Sequence, residues 1–215
     1  MEFLVFLGPP GSGKGTLSRR LHEANDFLPL STGEEIRKKM SDPSSEFGQK
    51  SAPYMDRGDY IPDELALELF YDILGRMPSE SRVALDGFPR TVPQAERFSA
   101  WVKENGYLLH GCVFLDLPVE IAIKRMEARL VCPTCRRTYP TVAGRPVGSQ
   151  CEACGGTLIQ REDDDPRRMQ QRLQRHQEMT FPLRAWFKER EKLLELDASQ
   201  ETRVLRQQLV KYFNL

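Results

Sequence analysis

The chain has 215 residues, of which 40% are hydrophobic and 29% charged, and its 31 basic and 31 acidic residues leave a formal net charge of zero. This length predicts one main domain with small inserted modules, and the balanced charge argues against attraction of the whole molecule to nucleic acid or an anionic membrane. Because no apolar run approaches the roughly 18 residues of a membrane span and the N-terminus lacks a signal-peptide pattern, we expect a cytoplasmic protein.

Short β-rich runs alternate with longer segments of helical period, the pattern of βα units wound about a parallel sheet. The predicted strands lie near residues 2–7, 27–30, 82–85, 111–117 and 193–197. The predicted helices lie at 14–24, 34–40, 63–75, 92–104, 119–129, 167–179, 181–191 and 202–213. Ser31 or Thr32 is a plausible N-cap. We therefore predict an α/β fold with an open, five-stranded parallel sheet and helices on both faces.

The segment GPPGSGKGT at residues 8–16 follows an apolar strand and opens a helical pattern, which is the context of a phosphate-binding P-loop. Its glycines let the backbone pass close to phosphate oxygens, while N–H groups and the positive helix end face the anion. Lys14 would reach the β- and γ-phosphates. The chain departs from the strict motif because Gly15 separates Lys14 from Thr16, the hydroxyl residue that would ligate Mg²⁺.

The segment LDGFPR at residues 85–90 ends another predicted strand, and open α/β sheets bind ligands just past the carboxyl ends of their strands. Asp86 is then placed to hold waters on Mg²⁺, and Arg90 to hold a phosphate of a second substrate. Gln94 carries an amide that can hydrogen-bond a base edge in both directions. The segment STGEEIR at residues 31–37 adds a cap, a hydroxyl and an arginine.

Arginine suits phosphate chemistry because its planar guanidinium pairs bidentately with phosphate and stays charged. Arg125 and Arg129 have i, i+4 spacing on a predicted helix, and Arg168, Arg172 and Arg175 share a face of a later one. A solvated basic stripe is the alternative interpretation. We keep it for Arg168 and Arg175.

Four of the five cysteines form two C-x-x-C pairs, Cys132 with Cys135 and Cys151 with Cys154, fifteen residues apart. This spacing is typical of a Cys₄ zinc site, in which four thiolates leave no position for a reactive water. We therefore predict a structural metal, with zinc favoured over iron or cobalt, and favour it over two disulfides. The surrounding segment, residues 131–160, has no helical period and is predicted to be an inserted module. Cys112 is predicted to be a core residue.

The motifs together resemble the adenylate kinase family, because GPPGSGKGT, STGEEIR, LDGFPRTVPQAERF, RMEAR and REDDD with a downstream arginine occur in order along essentially the whole chain. The resemblance implies the Mg²⁺-dependent reaction ATP + AMP ⇌ 2 ADP. It implies a P-loop core (residues 1–30, 61–127 and 165–215), a monophosphate-binding flap (31–60) and a long, zinc-binding lid (128–164). The implied partners are ATP, AMP and ADP, with no nucleic acid or membrane, and we expect a monomer.

The resemblance also implies residue roles. The residues implied to take part in phosphoryl transfer are Lys14, Asp86, Arg90, Arg125, Arg161 and Arg172. Those implied to bind ATP are Gly11, Ser12, Gly13, Lys14, Gly15, Thr16, Arg125, Arg129, Thr138, Tyr139 and Gln200. Those implied to bind AMP are Thr32, Arg37, Asp59, Tyr60, Ile61, Gly87, Phe88, Pro89, Arg90, Gln94, Arg161 and Arg172.

Three other functions stay open at this point. The same fold would serve a UMP/CMP kinase or a broader nucleoside monophosphate kinase. A zinc-ribbon nucleic-acid-binding protein has the support of Arg136, Arg137 and Arg145 only. A P-loop regulatory ATPase or switch would hydrolyse ATP without an acceptor nucleotide. The scattered His22 and His176, like His110, are predicted to be structural.

Overall fold

The computed structural model describes residues 1–140, 145–161 and 164–215. In chain order the elements are β1 (Glu2–Leu7), α1 (Lys14–Asn25), β2 (Phe27–Ser31), α2 (Thr32–Met40), α3 (Glu46–Met55), α4 (Asp63–Leu74), β3 (Arg82–Asp86), α5 (Val92–Glu104), β4 (Leu108–Asp116), α6 (Val119–Glu127), β5 (Arg129–Val131), β6 (Thr138–Pro140), β7 (Ile159–Gln160), α7 (Pro166–Arg175), α8 (Pro182–Lys188), β8 (Leu193–Asp197) and α9 (Thr202–Phe213). A π-helical turn, His176–Thr180, joins α7 to α8. Within the described ranges, none of the helices is both long and apolar enough to cross a membrane.

Five parallel strands form the central sheet in the order β2-β3-β1-β4-β8, which confirms the predicted fold class. The side chains of the middle strand, β1, alternate between two buried faces. Phe3 and Val5 contact the core on one face, and Leu4 and Phe6 contact the core on the other. Because helices cover both faces, β1 is apolar from Phe3 to Leu7, as a buried parallel strand should be.

The carboxyl ends of three neighbouring strands meet at one edge of the sheet. The glycine loop follows β1, Thr32 follows β2 and Asp86 ends β3. In the strand register, Asp86 lies beside Phe6 of β1 and beside Ser31 of β2. Three motifs that are distant in sequence therefore come together in space.

A separate antiparallel sheet of order β6-β5-β7 lies in the region of the predicted inserted module. The buried side chains beneath it are Leu130, Cys132, Cys151 and Leu158. Two of these four residues are cysteines, so the module has little apolar burial apart from its candidate metal ligands. Residues 141–144 and 162–163, which belong to the predicted lid, lie outside the described residues.

The observed elements differ from the predicted ones in several places, among them β5, β6 and β7, which correspond to no predicted strand. The helix predicted to reach residue 129 ends at Glu127, and Arg129 begins β5, so the prediction that Arg125 and Arg129 share a helix face was wrong. The helix predicted at 167–179 changes to a π-helical turn after Arg175. Helix α3 has no predicted counterpart, because it contains a glycine and Pro53, which favour turns.

Phe98 tests the packing on one face of the sheet. It is 1% exposed, and its ring centroid lies 5.3 Å from those of Phe3 and Phe70. We expect Phe98→Ala to lower the free energy of unfolding by about 3–5 kcal/mol, because it removes apolar burial and leaves a cavity. In the control Phe181→Ala, the side chain is 44% exposed, and the loss should be about 1 kcal/mol or less. Urea unfolding measures both, and equal losses would contradict the assigned burial.

Candidate active site

A cavity of about 560 Å³ opens past the carboxyl ends of β1 and β3. Its wall contains all the residues implied to take part in transfer, namely Lys14, Asp86, Arg90, Arg125, Arg161 and Arg172. It also contains most of the residues implied to bind nucleotides, namely Gly11, Ser12, Gly13, Gly15, Thr16, Arg37, Asp59, Tyr60, Gly87, Pro89, Arg129, Thr138, Tyr139 and Gln200. The four other described residues with an implied role, which are buried outside this lining, are Thr32, Ile61, Phe88 and Gln94.

The glycine loop holds Lys14 at the first position of α1. Gly13 caps the helix with a φ of 92°, a left-handed conformation that glycine adopts without strain. Lys14 Nζ donates to the carbonyl oxygens of Gly8 at 2.9 Å and Pro9 at 3.0 Å. The ammonium group is therefore oriented by neutral acceptors, which leave its charge in place.

The electrostatic surroundings of Lys14 are strongly cationic. Burial lowers the pKa of Lys14 to about 8. The nearby Asp86 carboxylate opposes this change, whereas the charges of Arg90, Arg172 and Arg129 add to it. A lysine with this pKa is mostly protonated at neutral pH, so Lys14 presents a positive charge to the cavity.

Arg90 is held from several sides. Its Nε donates to the carbonyl oxygen of Gly87 at 2.8 Å, and its guanidinium lies 4.5 Å from the ring centroid of Tyr60. Thr180 Oγ1 donates to the backbone carbonyl of Arg90 at 3.1 Å and lies 2.8 Å from the Tyr60 hydroxyl. The guanidinium therefore enters the cavity in a restrained position, which reduces the entropy lost when it binds an anion.

Gly87 leaves room for Arg90, and Gly33 lies where two arginines meet. Gly87 has a φ of 89°, and a Cβ there would lie 2.8 Å from Thr32 Oγ1 and 3.0 Å from Arg90 Nη2. A Cβ at Gly33 would lie 3.6 Å from guanidinium nitrogens of both Arg37 and Arg90. These two guanidiniums therefore meet at Gly33, as a pair that one phosphate can bridge.

Gln94 has its amide engaged by the protein. Its Oε1 accepts from the backbone N–H of Arg90 at 2.8 Å, and its Nε2 donates to Asp63 Oδ1 at 2.7 Å. Asp63 also accepts from Thr91 Oγ1. Contact of Gln94 with a base stays a prediction, and only the remaining N–H and lone pair of the amide are available for it.

Asp164 joins two of the predicted arginines, and the sequence interpretation assigned it no role. Its side chain is fully buried, and it accepts hydrogen bonds from Arg129 Nε at 2.8 Å and Arg172 Nη1 at 3.3 Å. Arg129 Nη2 makes a second contact with the same carboxylate. The acidic run before α7 was the available signal, but the run alone does not distinguish its buried member.

His176 also lines the cavity, although the sequence predicts only a structural role for it. Burial lowers the pKa of His176 to about 3, and the charges of Lys14 and Arg90 contribute. The imidazole is therefore neutral at physiological pH and adds no charge to the cavity. The available signal was its position four residues after Arg172, which is one helical turn.

The four cysteines of the inserted module form a compact cluster. All four Sγ atoms lie within 4.8 Å of one another. Cys132 and Cys154 approach to 3.4 Å and Cys135 and Cys151 to 3.5 Å, near the roughly 3.8 Å edge of a tetrahedron with Zn–S bonds of about 2.3 Å. The donor set and its spacing therefore fit one tetrahedral metal ion. The hydroxyl of Tyr139 lies 3.2 Å from Cys151 Sγ, where it donates to a thiolate ligand.

Cys151→Ser tests the cluster. We expect the wild-type chain to hold about one metal ion and the variant to lose most of it, because three thiolates bind the ion much more weakly than four. The melting temperature of the variant should fall because the metal is lost. Metal analysis by mass spectrometry after extensive dialysis measures the content. Cys112→Ser is the control, since Cys112 is buried in β4 away from the cluster, and full metal content in Cys151→Ser would contradict the site.

The lowered pKa of Lys14 predicts a pH dependence for binding of ATP, the triphosphate that the resemblance implies. A bound phosphate chain raises this pKa above its value of about 8, so binding is strongest where Lys14 is protonated and weakens as the pH rises through that value. We expect the affinity to fall about tenfold from pH 7 to pH 9. Calorimetry measures it. Lys14→Met should bind ATP more weakly at pH 7, and its affinity should not depend on pH in this way. A wild-type affinity that is the same at pH 7 and pH 9 would refute the lowered pKa of Lys14.

Comparison with known proteins identifies the family. The family model for adenylate kinase matches residues 6–192. The adenylate kinase of Clostridium tetani is 36% identical over 199 residues, which cover 92% of each chain. That of Thermotoga maritima is 38% identical over 184 residues, 85% of this chain and 84% of the other. That of Kosmotoga olearia is 32% identical over 209 residues, 97% of each. The chain therefore belongs to the adenylate kinase family.

Proposed function

We propose that this chain catalyses the reversible, Mg²⁺-dependent transfer of a phosphoryl group from ATP to AMP and so balances the adenine nucleotides. The observation that carries the proposal is the convergence of Lys14 and several arginines on one cavity beside a glycine loop. Such a cavity suits two phosphate chains held end to end, because phosphoryl transfer needs mainly positioning and charge stabilisation. Membership of the adenylate kinase family supports the same reaction.

The glycine loop serves as the donor side of the site. Backbone N–H groups of residues 11–16 and the Lys14 ammonium hold the β- and γ-phosphates of ATP. Arg125 and Arg129 approach the same phosphates, and Gln200 and the strand β6 border the nucleoside. The Arg145 guanidinium lies 5.0 Å from the ring centroid of Tyr139 on β6.

The ends of β2 and β3 serve as the acceptor side. Arg37 and Arg90 hold the phosphate of AMP where their guanidiniums meet, and Arg161 and Arg172 bridge the two phosphate chains during transfer. Asp86 would hold waters of the Mg²⁺ ion that accompanies ATP, and the bound ion would supply positive charge beside the phosphates.

The two insertions close the site. In this proposal the flap, residues 31–60, and the lid, residues 128–164, move over the core formed by residues 1–30, 61–127 and 165–215. Closure excludes water, which would otherwise accept the phosphoryl group. Zinc is the proposed lid metal, because four thiolates in tetrahedral spacing favour it. The ion is structural and takes no part in transfer.

We further propose a cytoplasmic monomer. Cysteine thiolates that ligate a metal require a reducing compartment. Large exposed hydrophobic side chains such as Leu28, Leu108 and Phe181 lie on different elements of the described chain. Scattered apolar residues of this kind are normal on a monomer.

The nucleic-acid alternative loses its main support. Arg136 pairs with Glu34 and Glu35, and Arg137 pairs with Glu23. Arg145 contacts Glu152 within the module. These arginines are therefore engaged with carboxylates, whereas a nucleic-acid-binding patch presents uncompensated positive charge.

Separation of nucleotides after mixing the protein with Mg²⁺, ATP and each of AMP, GMP, CMP, UMP or no acceptor tests the proposal. We expect rapid, reversible ADP formation with AMP. Preference for CMP or UMP would favour a UMP/CMP kinase instead, and equal ADP without an acceptor would indicate an ATPase.

Lys14→Ala should lower this transfer at least about 100-fold, because it removes a charge that stabilises the transferring phosphoryl group. The control is Lys50→Ala, which removes an exposed lysine that pairs with Glu46 on α3. It should leave the rate unchanged. Near-normal turnover of Lys14→Ala in the same assay would contradict the role assigned to the glycine loop.

A further inference from the structure

Two turns of the cysteine module have the same backbone but different residues at one position. In the first turn, the N–H of Arg136 donates to the carbonyl of Cys132 at 2.8 Å. In the second, the N–H of Gly155 donates to the carbonyl of Cys151 at 2.8 Å. Both residues are left-handed, with φ of 60° at Arg136 and 72° at Gly155. Glycine adopts this conformation freely, whereas a side chain there is strained.

The Arg136 side chain reaches across the cavity to the start of α2. Its Nη1 lies 3.2 Å from Glu35 Oε1 and 3.7 Å from Glu34 Oε2. Arg161, also in the lid, lies 3.7 Å from Glu34 Oε1. Arg136 therefore connects the lid to the flap at a position where its backbone would favour glycine.

The contact with Arg136 explains the two glutamates better than a role in phosphate binding does. Glu34 lines a cavity whose charged groups are mostly lysine and arginine, so its carboxylate opposes the binding of a phosphate there. Both glutamates lie in the first turn of α2, where the helix dipole favours them. That effect accounts for acidic residues in this turn, but it does not account for a strained arginine in another module that pairs with them.

We propose that Arg136 is a positioning residue that latches the lid to the flap through Glu34 and Glu35. The latch stabilises the arrangement in which all the cavity arginines face the same space. This inference rests on the proposed phosphoryl transfer. A latch of this kind tightens substrate binding and slows product release, because both ligands bind the latched arrangement and must leave from it.

The variant Arg136→Gly removes the latch but preserves the structure of the turn. The variant reproduces the residue found at Gly155, so metal content and melting temperature should be retained or increased. We expect the KM values for ATP and AMP to rise about two- to fivefold, as for loss of a partly exposed ion pair, while kcat stays equal or rises. Unchanged KM values would overturn the latch, and so would a loss of metal that accompanies the kinetic change.

A double-mutant cycle identifies the partner. Glu35→Gln should raise the KM values to a similar degree, and the double variant should show little further change, because each substitution breaks the same contact. Glu46→Gln is the matched control, since Glu46 pairs with Lys50 within the flap, and it should leave the KM values unchanged. Additive effects of Arg136→Gly and Glu35→Gln would contradict a shared contact.

Small-angle X-ray scattering tests the latch independently of the catalytic proposal. We expect Arg136→Gly to have a larger radius of gyration than the wild type without nucleotide, and Glu46→Gln to be unchanged. This readout requires no turnover, so a wild-type chain that forms no ADP would refute the reaction without affecting the latch. Equal radii for Arg136→Gly and wild type would count against the latch.

Discussion

The positive charges around Lys14 repel one another, and the site depends on the fold holding them close together. Neutral hydrogen-bond acceptors hold several of these charged groups in place. Carbonyl oxygens of the glycine loop orient Lys14, and the carbonyl of Gly87 orients Arg90. A carbonyl fixes a cation without cancelling its charge, so the charge stays available to a phosphate. The buried Asp164 is different, because it both fixes and partly neutralises Arg129 and Arg172. It lets these two guanidiniums approach each other.

The parallel sheet makes this arrangement possible. All its strands end at the same edge, and the loops that leave them point into one cavity. The middle strand, β1, is apolar on both faces from Phe3 to Leu7, so it packs into the hydrophobic core on each side of the sheet. Rigidity at the strand ends matters more here than a reactive side chain, since the chemistry requires charges at defined positions and no general base of special pKa.

The sequence predicted those parts of the site whose position follows from local pattern. The position of Lys14 is predicted by a strand, a glycine loop and a helix in succession. The position of Asp86 is predicted by its place at the end of an apolar strand. The cysteine cluster follows from ligand spacing, because each short turn brings two thiols together and two such turns at this spacing are typical of one metal site. In each case a few neighbouring residues determine the geometry, and the fold only needs to support it.

Features that depend on distant contacts were not predictable. Arg129 leaves its helix because residues 129–131 pair with strands that come later in the chain. Asp164 is one of three successive aspartates, and only the packed structure selects it for burial. The amide of Gln94 is oriented by Asp63, thirty-one residues earlier. Periodicity and motif spacing carry no information on such partners.

The neutral imidazole of His176 affects how the charge of the cavity responds to pH. Histidine is the side chain that ordinarily changes charge within the physiological pH range, and a titrating one beside Lys14 would make the potential in the cavity follow acidification. Burial removes that response by holding the pKa of His176 at about 3. His176 therefore adds no positive charge to the cavity as the pH falls from about 8 to about 5, the range in which an exposed histidine would become protonated.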